Sequence, residues 1–352
     1  MSENAKRGKI SQRQLFSVLL LLRMTAALGD IGYITLGTLS SDTLLSLALG
    51  CGLTLLFALP LYFCCVKHKS PLNTKLPAML YAVYFVLLEA FNIASFSLFS
   101  TSESHPETKT LLIVILISLA AGYAAYLGIE AVSRFSVFCV AFLAVVIAVA
   151  VFTNVKNLER LNYYPLMKNS KAAILENAVL FASNSTEVVI FASLAPRVNG
   201  KRKMPLFSSI AAAFAGIIFL AAVCVGVMGY ATEHYPYPVY SLFKMSSIGS
   251  FSRMDVIHTA FWIFAFFARG AVLVYCASTA VKPLNHSVKS IAFSAVSGVL
   301  AFLLCKFSAG RAVYELGIPF RLISLAVFQL ILPAGFLIFK RRNKGEALLE
   351  AF

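Results

Sequence analysis

Ten long apolar runs follow one another along the chain, and short polar segments separate them. Most are as long as the roughly 20 residues with which an α-helix crosses a hydrocarbon core of about 30 Å. They are continuous, whereas membrane β-barrels show segments of alternating hydrophobicity. We therefore predict ten membrane-spanning helices, called spans 1 to 10, over residues 11–37, 43–66, 76–100, 110–128, 131–154, 172–195, 204–231, 254–281, 287–306 and 316–340.

Composition supports the same class. Of 352 residues, 59% are apolar and 13% are charged, against a charged share of roughly 25% in soluble domains. We expect an all-α integral membrane protein that forms one polytopic domain over residues 1–352. The histidines and cysteines are scattered without the spacing of a metal site, and nucleophile and nucleotide-binding motifs are missing. The sequence therefore predicts no enzyme and no cofactor.

The net charge of +15 has a membrane explanation. Lys and Arg lie between the apolar runs and form no stripe of the kind that binds nucleic acid. If the N-terminus is cytoplasmic, the inner segments carry twice as many basic residues as the outer ones. Basic loops are retained on the cytoplasmic side. The charges therefore predict cytoplasmic termini, residues 1–10 and 341–352, and an even number of spans.

Ionisable residues inside a span are costly to bury, so each is a candidate for function. Pairing with one another inside the membrane is the alternative role, and the sequence does not identify the partners. The candidates are Arg23 and Asp30 in span 1, Glu89 in span 3, Glu187 in span 6, Arg269 in span 8 and Arg321 in span 10.

Polar and small residues interrupt spans 1 and 6. In span 1, residues 25–29 are mostly small, and Gly29 lowers helix propensity. In span 6, five consecutive polar residues over 183–187 divide two apolar stretches. Packing between helices is the alternative use of such residues. We predict that both helices are broken.

The two predicted breaks fall at corresponding positions, since span 1 opens residues 11–154 and span 6 opens residues 172–340. Matched broken helices are typical of inverted-repeat transporters that bind a solute near the bilayer midplane. A break presents N–H groups that favour a carboxylate and C=O groups that favour an ammonium. The sequence predicts a five-plus-five inverted repeat that binds a small polar solute such as an amino acid.

Three motifs occur in a familiar order. Residues 9–16 are a basic, Gln-containing segment before span 1, residues 128–134 read Gly-Ile-Glu-Ala-Val-Ser-Arg, and residues 181–187 precede Leu194-Ala195-Pro196. Together they resemble the spore germination permease family, the B subunits of nutrient germinant receptors, within the amino acid/polyamine/organocation transporter superfamily. The chain departs from the family at Thr186, where glycine is usual.

The resemblance implies a ligand between spans 1, 3, 6 and 8. It also implies a receptor that acts with A and C subunits in the inner spore membrane or cytoplasmic membrane of an endospore-forming bacterium. The expected germinant is a small molecule, with an amino acid as the leading class. The alternative is a proton- or sodium-coupled secondary amino acid transporter, which would use the same pocket.

The resemblance assigns roles to the residues of both breaks and of two further spans. The break in span 1 would meet a carboxylate, the break in span 6 an ammonium, and spans 3 and 8 would line the pocket. The predicted ligand-binding residues are Thr25, Ala26, Ala27, Leu28, Gly29, Glu89, Asn92, Ser183, Asn184, Ser185, Thr186, Phe261 and Phe264. Glu187 and Asp30 are predicted to serve gating or a proton-linked step, and Glu130 and Arg134 to form a structural pair one helical turn apart.

Overall fold

In the computed structural model, the described residues are 8–34, 39–67, 70–199, 203–247, 254–281, 286–308 and 311–339. Nine helices in these ranges are long and apolar enough to cross a membrane. The chain is therefore an all-α integral membrane protein, as predicted, and the nine helices correspond to the predicted spans 2 to 10. Its α-helices are α1 Gln12–Ile34, α2 Ser41–Val66, α3 Lys75–Phe99, α4 Thr110–Leu127, α5 Ile129–Asn154, α6 Lys171–Ser183, α7 Thr186–Leu194, α8 Lys203–Met228, α9 Pro238–Met245, α10 Asp255–Ala280, α11 His286–Phe307, α12 Arg311–Ser324 and α13 Leu332–Phe339.

The predicted break in span 1 is wrong over the described residues, because α1 is continuous through Ile34. The Thr25 hydroxyl donates to the Leu21 carbonyl at 2.6 Å, within the helix. A Cβ on Gly29 would lie 2.6 Å from the Trp262 ring of α10. The small residues therefore serve close packing against α10, which is the alternative role of such residues. Residues 35–37, the end of the predicted span, lie outside the described ranges.

The predicted break in span 6 is confirmed. Helix α6 ends at Ser183, Asn184 and Ser185 are not helical, and α7 begins at Thr186. The hydroxyls of Ser183 and Ser185 donate to the carbonyls three residues earlier, at 2.8 and 2.6 Å. Such local bonds compete with the helical hydrogen-bond ladder, so a run of polar residues ends the first half-helix here.

The helix packing supports the predicted repeat. Spans 1 to 5 correspond to α1 to α5, and spans 6 to 10 to α6/α7, α8, α10, α11 and α12/α13. Helix α1 packs on α8 as α2 packs on α6, and α3 packs on α11 as α4 packs on α10. If each span is replaced by the corresponding span of the other half, the α1–α8 contact becomes the α2–α6 contact. In the same way, the α3–α11 contact becomes the α4–α10 contact. The inverted orientation of the halves stays a prediction.

The tenth span contains a feature that hydropathy did not predict. Between α12 and α13, residues Leu325–Ile331 form a π-helical segment. Its wide turn presents the Phe328 carbonyl to the Tyr81 hydroxyl, which donates at 2.7 Å. Local π-helical turns are frequent at functional sites, and this one carries the buried Gln329 toward the middle of the protein.

Asp42 fixes the segment that precedes α6. Its two carboxylate oxygens accept the backbone N–H groups of Met167 and Asn169, at 2.6 and 2.7 Å. The side chain lies buried in the first turn of α2, where the helix dipole also favours a negative charge. Asp42 thus connects the start of the second span to the segment that precedes the second predicted repeat.

Candidate functional site

The break between α6 and α7 is held from the side of the π-helical segment. Gln329 donates from Nε2 to the Ser185 carbonyl at 2.9 Å, and its Oε1 accepts from Ser185 Oγ at 3.0 Å. Both side chains are buried. One amide therefore binds both the carbonyl and the hydroxyl of Ser185 in the non-helical segment. Gln329 was not predicted as a site residue from the sequence, although it is a polar residue inside an otherwise apolar stretch.

Arg23 of α1 holds the other side of the break. Its Nη2 donates to the Phe181 carbonyl at 2.6 Å, and its Nη1 lies 3.8 Å from Oε1 of Glu187. The guanidinium also lies 4.5 Å from the ring centroid of Phe214 on α8. The same carbonyl accepts the Asn184 N–H at 3.3 Å, so Arg23 adds a second, charged donor at the end of α6, where carbonyls lack their usual helical partners. It thereby connects both half-helices through a carbonyl and a carboxylate.

A second polar group lies between α3 and α10. Asn92 donates from Nδ2 to Oε2 of Glu89 at 3.1 Å and to the Phe266 carbonyl at 3.4 Å. The Glu89 carboxylate packs directly against Gly270, where a Cβ would collide with it. Arg269 is close enough to interact electrostatically with Glu89. The predicted shared face of Glu89 and Asn92 is therefore confirmed, and this face is directed at α10.

A cavity of about 40 Å³ lies between α3, the α6–α7 break, α10 and α12. This volume exceeds the roughly 10–15 Å³ that one water molecule needs. Two asparagines, a tyrosine and two arginines are among its lining residues, and guanidinium groups pair well with carboxylates. The lining residues are Leu88, Phe91, Asn92, Ser95, Asn184, Phe266, Arg269, Val313, Tyr314, Gly317, Phe320 and Arg321.

Of the predicted ligand-binding residues, Asn92 and Asn184 line this cavity. Glu89 lies behind Asn92 and is buried. The remaining residues of the break do not line the cavity but lie buried around it. They are Ser183, Ser185 and Thr186.

The predicted residues of span 1 lie in the unbroken α1, so their backbone groups are not released for a ligand. They are Thr25, Ala26, Ala27, Leu28 and Gly29. Of the two gating candidates, Glu187 pairs with Arg23 as described. The side chain of Asp30 lies outside the part of the chain that the structure describes.

The two aromatic candidates of span 8 face α5 instead of the cavity. Phe261 is buried with its ring centroid 5.8 Å from that of Phe142, and Phe264 packs on Phe135 at 5.9 Å. Phe264 is 38% exposed. Their spacing correctly indicated a shared face, but that face belongs to the helix packing.

Three further residues of the cavity were not assigned to the site from the sequence. From the sequence, Arg269 and Arg321 were identified only as charges inside the membrane, and no sequence feature marked Tyr314 as a site residue. The Tyr314 hydroxyl lies 2.9 Å from that of Tyr237 and donates to the Ser95 carbonyl at 3.3 Å. In the described residues, His, Cys, Asp and Glu side chains form no group of three that could hold a metal ion.

Glu130 and Arg134 form the predicted pair one turn apart. Glu130 Oε1 and Arg134 Nη2 are 2.5 Å apart, and both side chains are exposed. The pair lies in the first two turns of α5, directly after Gly128, whose φ of 97° is a conformation that favours glycine. This surface pair is separate from the cavity.

Comparison with known proteins agrees with this architecture. The spore germination protein family of permeases matches residues 74–309, which run from the start of α3 through α11 and include the break. Spore germination protein KB of Bacillus subtilis (strain 168) is 24% identical over 307 residues, covering 80% of this chain and 81% of that protein. The match spans more than half of the chain, so the chain belongs to the spore germination permease family.

Proposed function

We propose that this protein is the membrane-embedded B subunit of a nutrient germinant receptor, and that it binds a small germinant beside the α6–α7 break. The observation that supports this proposal is the convergence of Asn92, Asn184, Arg269 and Arg321 on one cavity in a chain of the spore germination permease family. An amino acid is the proposed ligand, since it carries both a carboxylate and an ammonium.

The cavity chemistry suits these two groups. A guanidinium of Arg269 or Arg321 would pair with the carboxylate of the ligand through charge-assisted hydrogen bonds. The Asn92 Oδ1 atom is buried without a hydrogen-bond partner in the described residues, and it would accept from the ammonium once the cavity expands. Glu89, which accepts a hydrogen bond from the Asn92 amide, would hold that side chain in place.

Binding at this site would require the cavity to expand. Its 40 Å³ accommodates only a few water molecules, so a germinant must displace part of the wall. Helix α12 supplies Tyr314, Gly317, Phe320 and Arg321 to that wall. It also contains Pro319 and leads into the π-helical segment. Proline removes a helical hydrogen bond, which makes α12 the wall that we propose to move.

We further propose that the protein acts with A and C subunits in the inner spore membrane or the cytoplasmic membrane, with both termini cytoplasmic. The relative from Bacillus subtilis is a spore germination protein, which supports a role in germination. The excess of basic residues in the segments assigned to the inside supports the orientation.

The ligand and the site can be tested together on the purified full-length chain. We expect the thermal unfolding midpoint to rise with one ligand class when amino acids, sugars and nucleosides are screened. Asn184→Ala should abolish that rise. Asn154→Ala is the matched control, since Asn154 is a buried asparagine that bonds to Ser246 at 2.7 Å and does not line the cavity. Equal rises in the two variants would contradict the proposed site.

Receptor and transporter are separated by a second measurement. Uptake of the identified ligand into proteoliposomes that contain this chain alone would favour the alternative, a proton- or sodium-coupled amino acid transporter. A response that requires co-expressed A and C subunits, without uptake by the isolated chain, would support the receptor.

A further inference from the structure

We propose that a groove between α3, α11 and α12 binds one acyl chain of an anionic phospholipid. The groove measures about 440 Å³, and apart from Ser308 its lining is apolar. Phe307 and Leu316 at its margin are 78% and 48% exposed. Because all three helices belong to membrane-spanning segments, an exposed side chain there faces hydrocarbon. The occupant that matches this lining is itself a hydrocarbon chain.

The length of the groove fits one leaflet. Along α11 it extends from Leu300 to Ser308, which is about 12 Å at a rise of about 1.5 Å per residue. Half of a hydrocarbon core of about 30 Å is roughly 15 Å. The groove therefore runs from the end of α11 toward the middle of the bilayer, along the path of a single acyl chain.

A positive charge lies at the end of the groove where a headgroup would be. Lys306 is in the last turn of α11, and its Nζ lies 5.9 Å from the ring centroid of Phe307, which lines the groove. The hydroxyl-bearing Ser308 belongs to the same end. Basic residues at the membrane surface attract anionic headgroups. This charge complementarity favours an anionic phospholipid over a zwitterionic one and over an apolar protein segment.

The groove shares a wall with the polar cavity. Phe91 and Phe320 line both, and their stacked rings have centroids 5.0 Å apart at an interplanar angle of 27°. An acyl chain in the groove would support this pair on the side away from the cavity. The lipid site itself does not depend on the proposed function, and its test uses no germinant.

Native mass spectrometry of the full chain, titrated with phosphatidylglycerol or phosphatidylcholine, tests the groove. We expect one phosphatidylglycerol to bind with preference, and Leu304→Trp, which fills the groove, to remove that bound lipid. Leu116→Trp is the matched control, because Leu116 is an exposed leucine on α4 outside the groove. If Leu304→Trp does not fold, Leu316→Trp fills the groove from the opposite wall.

Lys306→Gln tests the headgroup contact. We expect its affinity for phosphatidylglycerol to fall about five-fold, equivalent to roughly 1 kcal/mol, with binding of phosphatidylcholine unchanged. Lys109→Gln is the control, because Lys109 precedes α4 at the same membrane surface as Lys306. Helices α4 and α11 are antiparallel, since Ala125 contacts His286 and Ser118 contacts Ser294. The proposal would be overturned if both groove-filling variants still bound the lipid. It would also be overturned if the two lysine variants had equal effects, or if a second copy of the chain occupied the groove.

Discussion

Removing the charge of Glu187 tests whether the buried ion pair stabilises the break between α6 and α7. The Arg23 and Glu187 side chains are 3% and 1% exposed, and their charged atoms are 3.8 Å apart. In Glu187→Gln, the guanidinium of Arg23 would keep the Phe181 carbonyl and the Phe214 ring as partners. It would lose the compensating negative charge.

The expected loss follows from the distance. Two unit charges 3.8 Å apart attract by about 4 kcal/mol at an effective dielectric constant of about 20. Breaking a buried pair by removing one partner costs about 3–5 kcal/mol, because the other charge remains uncompensated. The exposed pair of Glu130 and Arg134 contributes only about 0.3–0.5 kcal/mol. Glu130→Gln is therefore the matched control for the same chemical change.

Thermal unfolding in detergent measures the difference. Glu187→Gln should lower the free energy of unfolding by about 3 kcal/mol, and Glu130→Gln by about 0.5 kcal/mol or less. Adding Arg23→Gln to Glu187→Gln should restore part of the loss, because no unpaired charge then remains. A Glu187→Gln protein as stable as Glu130→Gln would refute the ion pair and would mean that Glu187 is neutral in the folded protein. We expect the germinant response to follow the same order.

Three further changes test other contacts. Gly270→Ala should lower the unfolding midpoint, because the new Cβ would displace the Glu89 carboxylate. Gly335→Ala is the control, since no atom lies within 4 Å of its new Cβ, and equal midpoints of the two variants would contradict the contact. Gln329→Leu should cost about 1–3 kcal/mol in the same assay, because the break loses its buried hydrogen bonds, and a neutral result would remove that role. Asp42→Asn should speed limited proteolysis of the segment before α6, and an unchanged cleavage rate would argue against its anchoring role.

Hydropathy predicted the helical spans because the bilayer fixes the length of each apolar run. The sequence predicted two breaks, and only the one in span 6 is present in the described residues, since similar residues have different roles in tertiary structure. In span 6, hydroxyl groups bond locally and end the helix. In span 1, Thr25 also bonds locally, yet α1 continues, and Gly29 accommodates the ring of Trp262. Composition does not separate a helix break from a close helix contact.

The candidate site was predictable where a polar residue stood out within a span. Asn184 and Asn92 satisfied that condition, and both line the cavity. Arg269 and Arg321 were visible as charges, but their convergence depends on how α10 and α12 pack. Gln329 is also a polar residue within a span, but it reaches the break through a π-helical segment, and hydropathy contains no information about such a turn.

The geometry of the break bears on how a germinant would act. A broken helix leaves carbonyls that could bind an ammonium, but Arg23 already occupies the Phe181 carbonyl. Ligand recognition would then fall to the side chains around the cavity, chiefly Asn92, Asn184 and Arg269. A ligand shifts a conformational equilibrium only by its differential affinity for the two states. Since the cavity is small when closed, a germinant would bind much better to the expanded state, and its binding free energy would stabilise a displaced α12. If the proposed function is correct, a sensor requires this coupling between germinant binding and the displacement of α12, whether or not the solute crosses the membrane.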